Sequence, residues 1–206
     1  MTLTAPEIEK LATPLLLEPL PQAVWQQLLD YLDLLNRWNS RMNLTAVRDP
    51  RLLASLHLGE CLRAAQMIPA DTTTVLDYGS GAGLPGIPIQ IARPDLAVTL
   101  AESQTKKAAF LREAVRTLGL SGARVHSGRV EELDASRIFD LVAMRAVDRM
   151  DRAVPEAAAQ ADKHLMLLIS QREMAAATTS LPGFAWVADS IPGTEQRVIL
   201  LGTKAA

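Results

Sequence analysis

The hydrophobic and polar positions of the chain follow one pattern before residue 70 and another after it. Apolar residues between Pro21 and Trp38 recur every three or four positions, which is the pattern of an amphipathic helix. Residues 49–66 repeat this spacing, so residues 1–70 are predicted to form a helical N-terminal extension. From residue 73, short apolar runs alternate with helical patterns, which predicts a mostly parallel sheet with helices on both faces.

The individual elements of the second region can be located from the same pattern. We predict strands at 74–77, 97–101, 124–126, 139–144, 165–169, 184–190 and 197–201, and helices at 86–92, 105–118, 148–161 and 171–178. Only a short turn at Pro192 and Gly193 separates the last two strands, so that pair should be antiparallel. Residues 71–206 are therefore predicted to form one Rossmann-like α/β domain. Its seven-stranded sheet should be mostly parallel and end in an antiparallel hairpin.

Composition narrows the class of protein. A length of 206 residues suits one domain with a small appendage, and 49% hydrophobic residues are ordinary for a globular protein. The single Cys61 cannot form an internal disulfide, and no group of Cys and His has metal-ligand spacing, so we predict no metal site. The absence of a signal-peptide pattern and of a long apolar run predicts a cytoplasmic protein without membrane contact. A net charge of -2 gives no general indication of nucleic-acid binding.

The loop after the first predicted strand carries the candidate chemistry. A buried strand ends at Asp77 and is followed by Gly79, Gly81 and Gly83, which gives the pattern D-x-G-x-G-x-G. Glycine permits positive φ and lets the backbone approach a ligand closely. In open α/β sheets, ligands bind at the carboxyl ends of the strands. The loop therefore predicts a nucleoside-type cofactor.

The identity of that cofactor depends on the helix that follows. Gly86 completes the dinucleotide pattern G-x-G-x-x-G, which is weak evidence on its own. Pro85 and Pro88 would remove N–H donors that a pyrophosphate needs at the start of a helix. S-adenosyl-L-methionine (SAM) carries an ammonium instead, which Asp77 can hold directly or through water. The pattern favours SAM, and a glycine-rich turn without a ligand is the alternative.

Polar residues after the next three strands are further candidates. Glu102 ends the second strand about 20 residues beyond the loop, where an acid would bind ribose hydroxyls. A solvated charge is the alternative there. Residues 128–132 follow the third strand, where the adenine would lie. Arg145 ends the fourth strand, and it is either held by a local ion pair or directed into the cleft.

An ordered series of longer motifs runs from about residue 36 to residue 150. Residues 43–50 resemble the motif N-L-T-x-(I/V)-R-D-P. In proteins with this motif, a histidine follows it at the position of His57. Residues 77–88 are similar to D-V-G-(S/T)-G-x-G-x-P-G-I-P, and residues 129–132 to R-(A/V)-E-E. Residues 139–146 are similar to F-D-x-(I/V)-x-(S/T)-R-A. The series resembles the bacterial small-subunit ribosomal RNA methyltransferases that make 7-methylguanosine, a family also called glucose-inhibited division protein B.

The resemblance implies a class I SAM-dependent methyltransferase. Its expected substrate is the N7 of a guanine in the 530-loop region of 16S rRNA, free or in the small ribosomal subunit. The resemblance implies that Gly79, Leu84, Val130, Glu131 and Arg145 line the SAM pocket. We expect a monomer.

The sequence departs from the family pattern at three positions. Glu102 stands in place of an aspartate, and Met144 in place of a serine or threonine. Ile169 stands in place of a lysine, which removes a cation from the expected catalytic face. Either another basic residue substitutes for that lysine, or this protein binds RNA less well.

Methyl transfer to N7 needs no general base, because the N7 lone pair carries no proton at neutral pH. Arg145, or Arg129 in its place, could donate to the neighbouring guanine O6 and is the catalytic candidate. The RNA-binding candidates are Asn43, Arg48, Lys106 and Arg129. The basic groups are Arg37, Arg41, Arg48, Arg51 and Arg63 in the extension, and Lys106, Lys107 and Arg112 after the second strand.

A solvated helix face is the alternative interpretation of those charges. Two other functions stay open at the level of sequence. One is a SAM-dependent methyltransferase acting on a small molecule or a protein. The other is a non-catalytic assembly factor that binds rRNA.

Overall fold

A computed structural model describes residues 3–133, 138–145, 150–194 and 196–205. The strands are β1 (Thr74–Tyr78), β2 (Ala97–Glu102), β3 (Ala123–Ser127), β4 (Phe139–Arg145), β5 (Ala161–Ser170), β6 (Phe184–Ser190) and β7 (Arg197–Lys204). The helices are α1 (Ala5–Ala12), α2 (Gln22–Asn39), α3 (Pro50–Leu52), α4 (Gly59–Met67), α5 (Gly86–Ala92), α6 (Thr105–Thr117), α7 (Met150–Gln160) and α8 (Met174–Ser180). A π-helical segment, Leu53–Leu58, joins α3 to α4.

In the described part of the chain, the strands form one seven-stranded sheet in the order β3-β2-β1-β4-β5-β7-β6. The pairs among β1 to β5 are parallel, and β7 runs antiparallel to both β5 and β6. The predicted parallel sheet with an antiparallel C-terminal hairpin is confirmed. In its turn, the backbone N–H of Thr194 donates to the carbonyl of Ile191 at 3.3 Å.

The fifth strand begins earlier than the sequence predicted. It was expected at 165–169 but starts at Ala161, which pairs with Phe139 of β4. Two consecutive polar residues, Asp162 and Lys163, interrupt the alternation of apolar and polar residues there. Such a pair is also typical of the end of a helix. Lys163 instead forms a salt bridge with Asp140 at 3.1 Å across the sheet. The predicted helix 148–161 begins at Met150 in the structure, and residues 148 and 149 lie outside the described residues.

The N-terminal helices share their apolar core with the sheet. One cluster of buried side chains contains Leu28 and Tyr31 of α2 together with Ile87 of α5 and Phe110 of α6. The division at residue 70 stays a prediction, but apolar packing is continuous across it. No helix in the described ranges is long and apolar enough to cross a membrane.

Candidate active site

The loop between β1 and α5 is held in the backbone conformation that its glycines predict. Gly79, Gly81 and Gly83 have φ values of 72°, 55° and 88°. These are left-handed conformations that residues with a Cβ adopt only at a cost. The loop is also held from outside, because the buried Tyr31 hydroxyl donates to the carbonyl of Ala82 at 2.7 Å. The N-terminal extension therefore helps to position the loop.

Asp77 lies under this loop and is completely buried. Its Oδ2 accepts a hydrogen bond from the backbone N–H of Gly86 at 3.0 Å, which ties the start of α5 to β1. Its Oδ1 has no hydrogen-bond partner among the described residues. Burial raises the pKa of Asp77 from 3.8 to about 7. The structure shows this residue holding the loop, and its contact with a cofactor ammonium stays a prediction.

Replacement of Asp77 by asparagine is expected to make stability depend less on pH. The pKa of this carboxyl is higher in the folded protein than in the unfolded chain, so the carboxyl favours folding only while it is protonated. Its contribution is lost as the pH rises from about 4 to about 7. As the pH rises through this window, the free energy of unfolding of Asp77→Asn should therefore rise relative to that of wild type. The expected change is at least about 1.4 kcal/mol, the value of one pKa unit. Urea unfolding of both proteins at pH 4 and pH 8 measures this change. The same difference in unfolding free energy between variant and wild type at both pH values would contradict a raised pKa for Asp77.

Glu102 is the second buried carboxylate near the loop. Its Oε2 accepts from the backbone N–H of Gly81 at 2.9 Å, and its Oε1 accepts from that of Gln104 at 2.7 Å. The carboxylate thus joins the glycine loop to the turn before α6. Each oxygen keeps a second lone pair, so the predicted bond to a ribose hydroxyl is compatible with this geometry. The alternative of a solvated charge is wrong, because the residue is only 6% exposed.

A cavity of about 300 Å³ opens where β1, β2 and β3 end. It is lined by Tyr78, Gly79, Ala101, Ser103, Gly128, Arg129, Val130 and Glu131. Three predicted cofactor residues, Gly79, Val130 and Glu131, therefore meet at one place. Five others, Asp77, Gly81, Gly83, Leu84 and Glu102, do not line this cavity. Gly81, Gly83 and Leu84 belong to the loop beside it, whereas Asp77 and Glu102 accept hydrogen bonds from Gly86 and Gly81. The contact of all five with a cofactor stays a prediction.

Arg145 is held by an ion pair, which was one of its two possible environments. Its Nε donates to Oε2 of Glu60 at 3.0 Å, and its Nη2 donates to Nδ1 of His57. Glu60 is completely buried and also accepts bonds from Arg197, the shortest at 2.7 Å. Arg145 does not line the cavity, although it follows Met144, the register partner of Tyr78, on the neighbouring strand.

This cluster of Glu60, Arg145, Arg197 and His57 carries a net positive charge. One carboxylate faces two guanidinium groups, and burial together with the charge of Arg145 lowers the pKa of His57 to about 4. His57 is therefore neutral at physiological pH. Its Nδ1 accepts from Arg145, so its proton is on Nε2. The cluster leaves one uncompensated cation near the end of β4.

Ile169 stands where the family has a lysine, and Arg197 of this cluster places a different cation near that position. Ile169 is buried in β5 and pairs with Val198 of β7. Arg197 precedes Val198, and it brings a guanidinium to the same end of the sheet. Met144 is also completely buried among apolar residues, where a hydroxyl would need a partner.

The four RNA-binding candidates lie in three places. Asn43 and Arg48 are bonded to each other, because Nη2 of Arg48 donates to Oδ1 of Asn43 at 2.7 Å. Arg129 is exposed on the rim of the 300 Å³ cavity. Lys106 is exposed at the start of α6 and lines a different cavity.

Sequence reasoning missed Glu60 and Arg197 as a pair and Tyr31 as a support of the loop. An available signal was Glu60 itself, a charged residue on the apolar face of an amphipathic helix between Leu58 and Cys61. Such a carboxylate is buried only when cations accompany it. The sequence could not indicate which cations, because Arg145 and Arg197 are far away along the chain.

Comparison with solved structures identifies the fold. Among solved structures, magnesium protoporphyrin IX methyltransferase of Synechocystis PCC 6803 superposes with a TM-score of 0.61 at 15% identity, over 87% of this chain and 100% of that one. A ribosomal protein L11 methylase of Lactobacillus delbrueckii subsp. bulgaricus gives 0.61 at 13% identity, over 74% and 80%. The fold is thus that of the class I SAM-dependent methyltransferases, as the motifs implied.

Sequence comparison gives the family. Two proteins called ribosomal RNA small subunit methyltransferase G are each 50% identical to this chain. The one from Stenotrophomonas maltophilia (strain K279a) matches over 131 residues, 64% of this chain and 61% of its own length. The one from Xanthomonas euvesicatoria pv. vesicatoria matches over 123 residues, 60% and 57%. The match thus spans about three fifths of these relatives. The family profile described as rRNA small subunit methyltransferase G matches residues 24–177, more than half of the chain, so the chain belongs to that family.

Proposed function

We propose that this protein transfers a methyl group from SAM to the N7 of a guanine in 16S rRNA. The observation that carries the proposal is the cavity at the ends of β1, β2 and β3, which contains Gly79, Val130 and Glu131 together. Membership of the family and the names of the relatives support an rRNA substrate. The 530-loop region is the proposed position of the guanine.

The residues of the cavity fit the chemical groups of SAM. Gly79 presents backbone without a side chain, so a ligand can approach it closely. Ala101 and Val130 provide apolar contact for an adenine ring. Glu131 is exposed, and its carboxylate can accept from the adenine amino group. When bound, SAM supplies an electrophilic methyl group on a sulfonium.

The acceptor requires no proton transfer before the reaction. The N7 lone pair forms the new bond to the methyl carbon, while the electron pair of the breaking C–S bond goes to sulfur. The protein therefore has to align the two atoms and exclude water. His57 fits no base role, since its Nδ1 already accepts from Arg145 and its pKa is lowered to about 4.

Arg145 is our proposed catalytic residue. The hydrogen bonds described for its guanidinium use Nε and Nη2, which leaves Nη1 free of partners in the described part of the chain. Its side chain is 10% exposed. Donation to guanine O6 would offset the positive charge that develops on the ring. Glu60 and His57 would position the guanidinium. Arg129, on the rim of the cavity, is the alternative donor.

We further propose that the protein acts as a monomer in the cytoplasm. The names of the relatives, which concern the RNA of the small ribosomal subunit, support the location in the cytoplasm.

Nucleoside analysis of the product tests the proposal. Purified protein, SAM labelled in its methyl group and 16S rRNA from cells that lack the protein should yield 7-methylguanosine. The same assay with cell metabolites and total protein as acceptors should yield no labelled product. A 2'-O-methylated nucleoside would contradict the mechanism. Label in a metabolite or a protein would favour that acceptor, and SAM binding without transfer would favour the assembly factor.

A further inference from the structure

A second cavity, of about 560 Å³, lies between the end of α2 and the start of α6. We call it the α2–α6 groove. The residues that matter for its chemistry are Arg37, Trp38, Arg41, Met42, Lys106 and Glu113. Ligand cavities have volumes of about 300–1,000 Å³, so the groove is large enough for a nucleotide. It shares no lining residue with the proposed cofactor cavity.

Three cations of the groove have no partner among the residues that the structure describes. Arg37 is in the last turn of α2 and Arg41 is in the turn that follows the helix, and both line the groove, so it contains two like charges. Lys106 approaches from α6. Within the described ranges, none of these three side chains forms a salt bridge, whereas Arg63, Arg93, Arg145, Lys163 and Arg197 do. An unpaired cation cluster in a protein of net charge -2 indicates an anionic ligand.

The apolar part of the groove suits a nucleobase. Trp38 is half-buried and packs edge-to-face against Phe110, with 5.7 Å between the ring centroids. This contact fixes the indole in place, and Met42 lies beside it in the groove. Stacking of a base on an aromatic side chain contributes about 1–3 kcal/mol. Glu113, the acid among the lining residues, can accept from a base amino group but would repel a phosphate.

The groove and the proposed cofactor cavity have lining residues that are close together in sequence. Ser103 lines that cavity, and Lys106 lines the groove three residues later. Three residues span at most about 11 Å even when fully extended. A nucleic-acid strand in the groove can therefore reach the edge of the cavity within a few nucleotides.

We propose that the α2–α6 groove binds a single-stranded RNA segment that flanks the methylated guanine. Arg37, Arg41 and Lys106 contact its phosphates, and one base packs against Trp38 and Met42. Members of both basic groups recognised in the sequence, Arg37 and Arg41 in the extension and Lys106 after β2, thus line one groove. This inference rests on the proposed function for the identity of the RNA, although binding itself requires no methyl transfer.

The test compares two double variants that lose the same charge. Arg41→Gln/Lys106→Gln removes an arginine and a lysine from the groove. Lys10→Gln/Arg116→Gln removes one of each from exposed positions elsewhere, and Arg116 is about 15 Å along α6 from Lys106. Fluorescence anisotropy with a labelled, unstructured RNA of about 12 nucleotides gives the affinity of each protein between about 50 and 200 mM salt.

The groove variant should bind this RNA about tenfold more weakly, and its slope of log affinity against log salt should fall by about 1.4, or 0.7 for each lost phosphate contact. The control variant should match wild type. Equal affinity and slope in both variants would overturn the proposal, as would equal binding of the same RNA as a duplex. Calorimetry with SAM should give the same affinity in all three proteins, which confirms that the cofactor site is intact.

Methyl transfer by wild type separates this inference from the proposed function. If wild type methylates 16S rRNA and the groove variant shows a raised KM with unchanged kcat, both proposals are supported. If wild type methylates no RNA but the groove variant alone loses RNA affinity, the proposed function fails and the groove stands. If wild type methylates rRNA and the groove variant behaves like the control, the groove is wrong and the function stands.

Discussion

Replacement of Gly79 by valine is expected to weaken SAM binding at least about 100-fold, which corresponds to about 2.7 kcal/mol. Gly79 has a φ of 72° and lines the proposed cofactor cavity. A β-branched side chain resists this backbone conformation and would occupy space where the ligand approaches the backbone. Isothermal titration with SAM measures the loss, and circular dichroism shows whether the protein is folded.

The matched control is Gly119→Val. Gly119 also has a positive φ, of 63°, and a Cβ there would meet no atom within 4 Å. Both substitutions therefore carry a comparable backbone cost, but only Gly79 borders the cavity. SAM affinity should stay at the wild-type value in the Gly119 variant. Unchanged affinity in the Gly79 variant would place the cofactor elsewhere.

The elements predicted best from sequence are those that local pattern determines. Helix α5 and strand β6 have the predicted bounds, 86–92 and 184–190, because apolar spacing and flanking turn residues define both ends. The π-helical segment Leu53–Leu58 was not predicted, since its apolar spacing is the same as that of an α-helix. Local pattern also placed the end of helix α7 one residue too far, because pairing with β4 draws Ala161 into β5.

The candidate site was partly predictable for a geometric reason. The carboxyl ends of parallel strands meet at one edge of a sheet, so Gly79 after β1 and Val130 after β3 had to lie close together. The roles of Asp77 and Glu102 in the loop could not be predicted, because they depend on bonds to Gly86 and Gly81 that only the folded loop defines. Pattern likewise gave no indication that Arg145 and Arg197 would share one carboxylate.

Replacement of Glu60 by glutamine is expected to lower the free energy of unfolding by about 3–5 kcal/mol. Glu60 is completely buried and is the shared carboxylate for Arg145 and Arg197. Glutamine keeps the volume but removes the negative charge, so two partly buried guanidinium groups are left without an anion. A loss of this size should lower the Tm by about 10 °C for a chain of this length. Differential scanning calorimetry and urea unfolding measure both quantities.

Asp95→Asn is the matched control, because it removes a carboxylate from an ion pair at the surface. Asp95 binds Arg93 at 2.8 Å, but its side chain is 58% exposed, so the pair contributes less than about 1 kcal/mol. The same small loss in Glu60→Gln would show that water compensates Arg145 and Arg197. In that case Arg145 would be mobile, and its proposed donation to guanine O6 would have to be set by the RNA. A large loss of stability together with a lower kcat in the folded fraction would instead identify Glu60 as the residue that positions Arg145.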